Sequence, residues 1–123
     1  MQPHSRRGIK ALLEATYVGD KRYGITKSAI EKLRVDNRVA LMVLDMMETL
    51  LDREQLALCL RYGVTGKSPM DLEEIAWQLG KVKDSNSPIG KERARQIVAR
   101  GLRKMRNPSR GHRLIALLQA ISK

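Results

Sequence analysis

Apolar residues recur along this chain at helical spacing, three and four positions apart, and do not alternate with polar ones in the manner of a half-buried strand. The pattern predicts an all-α protein whose helices are punctuated by Gly and Pro. Two short helices are expected over 8–18 and 26–34, separated by Gly19 and Gly24, with Thr26 capping the second. A longer helix follows. Asp36 suits its N-cap, and Val39, Met42, Val43, Met46, Met47 and Leu50 form an apolar stripe along it. Asp52 reads as the next N-cap, with Gln55 three residues on completing a capping box. That helix runs to Tyr62 and stops at Gly63, a residue suited to the position just past a helix end.

The loop from Val64 to Met70 holds Gly66 and Pro69, and a second capping box follows at Asp71 and Glu74. The helix it opens is short, has Leu72, Ile75 and Leu79 on one face, and is expected to end at Gly80. A polar loop from Lys81 to Pro88 precedes the last major helix, which starts either at Ser87–Pro88, since Pro suits a first helical turn, or at Gly90. Pro108 ends it, and a short final helix is expected from about Gly111 to Ile121.

Charge changes this picture from a generic helical bundle to one with a polarised surface. The chain of 123 residues carries 24 Lys and Arg against 13 Asp and Glu, a net charge of +11. Residues 87–123 hold ten basic groups and one acidic group, Glu92, for +9, whereas residues 1–50 carry +3 and residues 51–86 carry −1. Such a field favours a polyanion. No apolar stretch approaches the ~20 residues of a membrane span, because runs such as Leu41–Leu44 are broken by Asp45 and Glu48; no membrane partner is expected. Cys59 is the one cysteine, which excludes an internal disulfide framework and a cysteine-clustered zinc site, and it reads as a small buried hydrophobe in a reducing cytoplasm. His4 and His112 lie far apart without a carboxylate partner nearby, and Glu73–Glu74 is explained by capping and the helix dipole. With no Gly-rich phosphate loop and no metal spacing, no catalytic residue, metal or cofactor is expected.

Projected at about 100° per residue, residues 91–106 separate into two faces. Ala94, Ile97, Val98, Gly101, Leu102 and Met105 form the packing stripe; Glu92, Gln96, Ala99 and Arg103 point the opposite way. Arg95 and Arg106 flank the outward face on one edge, Arg93 and Arg100 on the other. A helix fits the DNA major groove, where Gln pairs with adenine, Glu accepts from cytosine, and Arg or Lys suits guanine. Guanidinium and ammonium groups clamp phosphates and fix the register. The short acidic helix "DLEEIAWQLG" lies just upstream, so the order is short helix, turn, basic helix: a helix-turn-helix. On the short helix, Trp77 reads as core or a partial interface anchor rather than a base-stacking platform.

The string "GKERARQIVARGLRKMRNPSR", Gly90 to Arg110, resembles the end of region 4 of primary-type bacterial RNA polymerase sigma factors. Upstream, "LLDREQLALCLRYGV" resembles region 4.1 and "DLEEIAWQLG" the first helix of its helix-turn-helix, so the resemblance spans roughly residues 37–118. It implies a sigma region 4-like helix-turn-helix bundle over 36–123, with residues 1–35 as a small helical N-terminal extension. It further implies binding to the −35 promoter element and to the β-subunit flap of RNA polymerase. By motif position Lys91, Glu92, Arg95 and Gln96 face the −35 bases, and Arg93 stands at the edge toward backbone or an activator. Arg53 and Arg61 match positions associated with upstream backbone; Arg100, Arg103, Lys104 and Arg106 complete the expected phosphate contacts. Polymerase contact is carried to the helix at 37–50 and the hydrophobic C-terminal segment.

Three departures stand out. The loop Lys81–Pro88 replaces a tight turn, Gly90 stands where the family usually has a capping Thr (a task open to Ser87), and Leu56 and Cys59 replace positions that are often charged. The helix at 52–62 is therefore expected to bury a second face, against the N-terminal segment or a partner. With no Phe, one Trp and three Tyr, the chain has nothing resembling the aromatic-rich domain that captures flipped −10 bases. The reading is a non-enzymatic, cytoplasmic, nucleoid-associated regulator, bacterial or phage, that binds double-stranded promoter DNA and engages RNA polymerase beside a separate sigma subunit or activator. The alternative is an interaction module that occupies the β flap, with DNA contact secondary. Residues 1–35 could bind a partner, dimerise, or cover the apolar face near Leu56 and Cys59.

Overall fold

The computed structural model describes residues 4–82 and 89–123. Among these residues it is all-α, with helices α1 (Arg6–Tyr17), α2 (Lys27–Lys32), α3 (Asn37–Glu48), α4 (Asp52–Tyr62), α5 (Leu72–Val82), α6 (Lys91–Met105) and α7 (Pro108–Ser122). The helix starts follow capping chemistry. Thr26 Oγ1 accepts from the Ala29 N–H at 3.1 Å, Asp36 Oδ1 from Val39 at 2.9 Å, and Asp71 Oδ1 from Glu74 at 2.8 Å. Each such cap is worth about 1 kcal/mol.

The start of α4 departs from expectation. Leu51, not Asp52, is the N-cap, and Glu54, not Gln55, reaches back, its Oε1 accepting from the Leu51 N–H at 3.1 Å. Glu54 is buried and held from the far side by Lys104, so tertiary packing fixes where the helix begins. Asp52 then lies in the first turn, where a carboxylate complements the helix dipole. The other end follows expectation: Gly63 caps α4 at φ 68°, ψ 35°, a left-handed conformation that favours glycine.

Two further boundaries shift. Helix α5 passes through Gly80 to Val82, because Gly80 takes helical rather than left-handed backbone. The final helix starts at Pro108, capped by Asn107, and kinks at Gly111, where the sequence placed its beginning. The alternative start at Gly90 is the observed N-cap of α6. Ser87–Pro88 and most of the loop Lys81–Pro88 lie outside the described residues.

One hydrophobic cluster runs from Ile9 in α1 to Leu118 in α7. Helix α4 lies at its centre, with Ala57 and Leu58 fully buried. Leu58 meets Gly101 of α6, and Glu54, one turn earlier, meets Lys104, one turn later. Helices α4 and α6 therefore run antiparallel, with α5 packed on both. Helix α1 is docked on this pair: Gly8 lies against Gly63 and Val64, and the Tyr17 hydroxyl reaches the Met105 carbonyl at 3.5 Å. Its Ile9, Leu12 and Leu13 are fully buried, each stabilising by roughly 1.5–3 kcal/mol relative to exposure. Leu56 and Cys59 of α4 are half-buried against the same cluster, and burial pushes the Cys59 thiol up. Helix α7 closes the opposite side over α2 and α3.

Candidate nucleic-acid interface

Helix α6 forms because its apolar positions recur at three and four residues, and the stripe read from the sequence is the buried one. Ala94, Ile97, Val98, Gly101, Leu102 and Met105 all face the core. At Gly101 the helices approach closely: a Cβ there would come 3.2 Å from Leu58 Cδ1, so that the Leu58 side chain would have to give by a few tenths of an ångström. With that face seated on α4 and α5, Lys91, Glu92, Arg95, Gln96, Arg100 and Arg103 are exposed, and Arg93 is half-buried at the margin.

The expected base-reading groups are organised on one another. Arg95 grips Glu92 through two nitrogens, Nε to Oε2 at 3.0 Å and Nη2 to Oε1 at 2.5 Å. The hydrogen bonds from the Arg95 guanidinium hold the Glu92 carboxyl below the usual carboxylate range, and Glu92 in turn raises Arg95. Arg93 Nη1 donates to Gln96 Oε1 at 3.3 Å. Both pairs link positions three apart on one helix, and the exposed Arg95–Glu92 ion pair contributes little to stability. Gly90, the N-cap of α6, has no side chain with which to cap it, and Ser87, to which that task was open, lies outside the described residues.

The expected backbone contacts divide. Arg100 and Arg103 are exposed on α6 and Arg106 is half-buried at its end, where its carbonyl accepts from the Tyr23 hydroxyl. Lys104 is committed inward, its Nζ 2.8 Å from Glu54 Oε1. Half-buried Arg53 stands beside Glu54, at the end of α4 that meets the last turns of α6. Arg61 lies toward the other end of α4, where its Nη1 donates to the Met70 carbonyl at 3.2 Å and ties α4 to the loop entering α5. Arg53 and Arg61 are thus brought to the same bundle as α6 but to opposite ends of α4.

Of the two roles read for Trp77, core is corrected, since it is 64% exposed on α5; that of a partial interface anchor is left standing. The α5 face that packs is Ile75, Ala76 and Leu79, which turns Trp77 outward. Sequence reading also missed Glu54. The available signal was its position three and four residues before Ala57 and Leu58, which puts a carboxylate on the buried face of α4. Among the described residues there is no group of three or more His, Cys, Asp and Glu that could hold a metal, and no helix is long and apolar enough to cross a membrane.

In sequence the chain is similar to the RNA polymerase sigma factor SigA of Listeria monocytogenes and to that of Listeria innocua, 39% identical to each over 75 residues. The match takes in 61% of this chain but only 18% of the length of each relative. No family model and no solved structure matches the chain. The similarity bears out the resemblance read from the sequence: the chain carries a sigma region 4-like, all-α helix-turn-helix domain.

Proposed function

We propose that this chain is a non-enzymatic transcription regulator whose sigma region 4-like domain sets the exposed face of α6 into the major groove of −35-like promoter DNA. The observation that carries the reading is the placement of Lys91, Glu92, Arg95 and Gln96 together in water, on a helix whose opposite face is anchored in the core. Those side chains offer donors and acceptors to base edges, and Arg100 and Arg103 supply phosphate contacts further along the helix. The +9 charge of residues 87–123 raises the rate of encounter with DNA.

Engagement of RNA polymerase is proposed at a separate surface between α3 and α7. Met42, Ala116, Leu117 and Ile121 line a groove there, with Arg38 and Arg113 at its rim and Leu117 exposed. The β flap is the proposed occupant, and a separate sigma subunit or activator would supply promoter melting. The same groove favours a second reading, in which the chain occupies the flap and DNA contact is secondary.

A gel-shift titration tests the first reading. Binding to a −35-like duplex should weaken steeply with salt, with a log–log slope near −0.9 per phosphate contact, and should exceed binding to a scrambled duplex. Absent or salt-insensitive binding would sink it. Capture of polymerase core with and without promoter DNA separates the two readings, since capture indifferent to DNA favours the flap-occupying one.

A further inference from the structure

At the head of α1 the N-terminal extension carries a cationic patch that the helix-turn-helix does not account for. Arg6, Arg7, Lys10 and Arg34 line a groove of about 510 Å³ between α1 and the α2–α3 connection, with Glu14 as its one carboxylate. Glu14 is occupied, 3.7 Å from Lys27 Nζ, and Lys10 Nζ donates to the Glu31 carbonyl at 2.7 Å. Arg6, Arg7 and Arg34 are exposed and make no ion pair among the described residues. Leu33 and Val35 beneath them are each 3% exposed. Four cations against one carboxylate make the patch complementary to a repeating negative charge.

Its position is set by two contacts. The Ser5 N–H donates to the Val64 carbonyl at 2.7 Å, and Gly8 packs on Gly63, so the head of α1 is fastened to the turn that leads from α4 into α5. Because α4 and α6 run antiparallel, that turn lies at the end of the bundle from which the exposed first turns of α6 project. The same turn carries exposed Lys67. Buried Ile9, Leu12 and Leu13 make α1 part of the core that positions α6, so the two cationic surfaces are rigidly related.

We infer that Arg6, Arg7 and Arg34, with Lys10, form a second DNA-backbone site through which the N-terminal extension lengthens the footprint of the recognition helix. The inference rests on the DNA-binding reading above and extends it to residues outside the sigma-like segment. Duplex DNA presents about one phosphate charge per 1.7 Å of axis, so a strand leaving the α6 groove can meet several of these cations at once. The contacts carry no base information; they add affinity without changing preference.

The test is a salt titration of the full chain and its R6A/R7A/R34A variant on −35-like and scrambled duplexes, long enough to extend beyond the recognition element. All three side chains are exposed, and thermal melting confirms that the variant folds. The variant should bind both duplexes more weakly, with a log–log slope shallower by about 0.9 for each phosphate that is no longer neutralised and the ratio between duplexes unchanged. Lys at the same three positions should restore the slope, whereas Q96A should lower the ratio with the slope nearly kept. If wild type binds but R6A/R7A/R34A matches it in slope and affinity, the second site is overturned. Loss of polyglutamate binding with DNA binding intact overturns it in favour of an acidic polypeptide. If wild type binds neither duplex, the DNA-binding reading itself fails.

Discussion

The ammonium of Lys104 lies 2.8 Å from Glu54 Oε1, and the same oxygen accepts from the Leu51 N–H. One carboxylate thereby caps α4 and pins the end of α6 to it. Glu54 is only 2% exposed and its Oε2 is buried with no hydrogen-bond partner among the described residues, while the Lys104 side chain is 31% exposed.

Removing Lys104 strands that carboxylate. The K104A variant should lose about 2–3 kcal/mol of stability, the scale for a hydrogen bond to a charged group, in urea denaturation. Since its charge is already matched, K104A should also flatten the salt dependence of DNA binding less than Arg100→Ala does. A loss below about 0.5 kcal/mol, no larger than an ordinary surface substitution, would show that the pair is incidental.

Gly8 makes an equally local claim on the docking of α1. In an isolated helix, alanine would be favoured over glycine by about 1 kcal/mol. Here a Cβ would stand 2.2 Å from the Gly63 carbonyl oxygen and 2.8 Å from Val64 Cα, which are backbone atoms. Gly8→Ala should therefore destabilise by about 2 kcal/mol, within the range for overpacking a fitted interface. Equilibrium unfolding that shows the variant more stable than wild type would place α1 elsewhere.

On α6 the two kinds of DNA contact should separate by mutation. Gln96→Ala should change base preference at one position by about 1–3 kcal/mol. Arg100→Ala should weaken all duplexes alike and reduce the salt slope by about one. A panel of single-base duplex variants reads both, and equal losses on specific and random DNA from both substitutions would contradict the assigned roles.

Burial, and to a lesser degree the neighbouring Tyr23, raise Tyr17 well above the ordinary phenol value of 10.0. The folded state holds the phenolic proton more tightly than the unfolded chain does. Its contribution is thus fully present below pH 10 and is lost as pH rises through the alkaline range. Thermal melting should show a steeper loss of stability above pH 10 in wild type than in Tyr17→Phe. The substitution should be mild at neutral pH, because among the described residues the hydroxyl makes one hydrogen bond, a long one of 3.5 Å to the Met105 carbonyl. Parallel curves for the two proteins would assign the alkaline loss to other groups.

The sequence by itself determined the helices and the face that α6 turns to water. Apolar spacing, together with the caps at Thr26, Asp36 and Asp71 and the glycine at 63, acts between residues a few positions apart, and the string from Gly90 to Arg110 carried the likeness to sigma factors. Tertiary structure decided what depends on distant partners. Glu54 outcompeted Asp52 and Gln55 for the start of α4 because Lys104, fifty positions away, holds its carboxylate. Trp77 turned outward because Ile75, Ala76 and Leu79 took the buried side of α5. The head of α1 reached the α4–α5 turn through Gly8 and Ser5, a placement no local pattern encodes, since only the meeting of two backbones makes a missing Cβ necessary. Local spacing thus specified which side chains α6 turns away from its apolar stripe, and packing across the chain specified which of them, such as Lys104, another group holds.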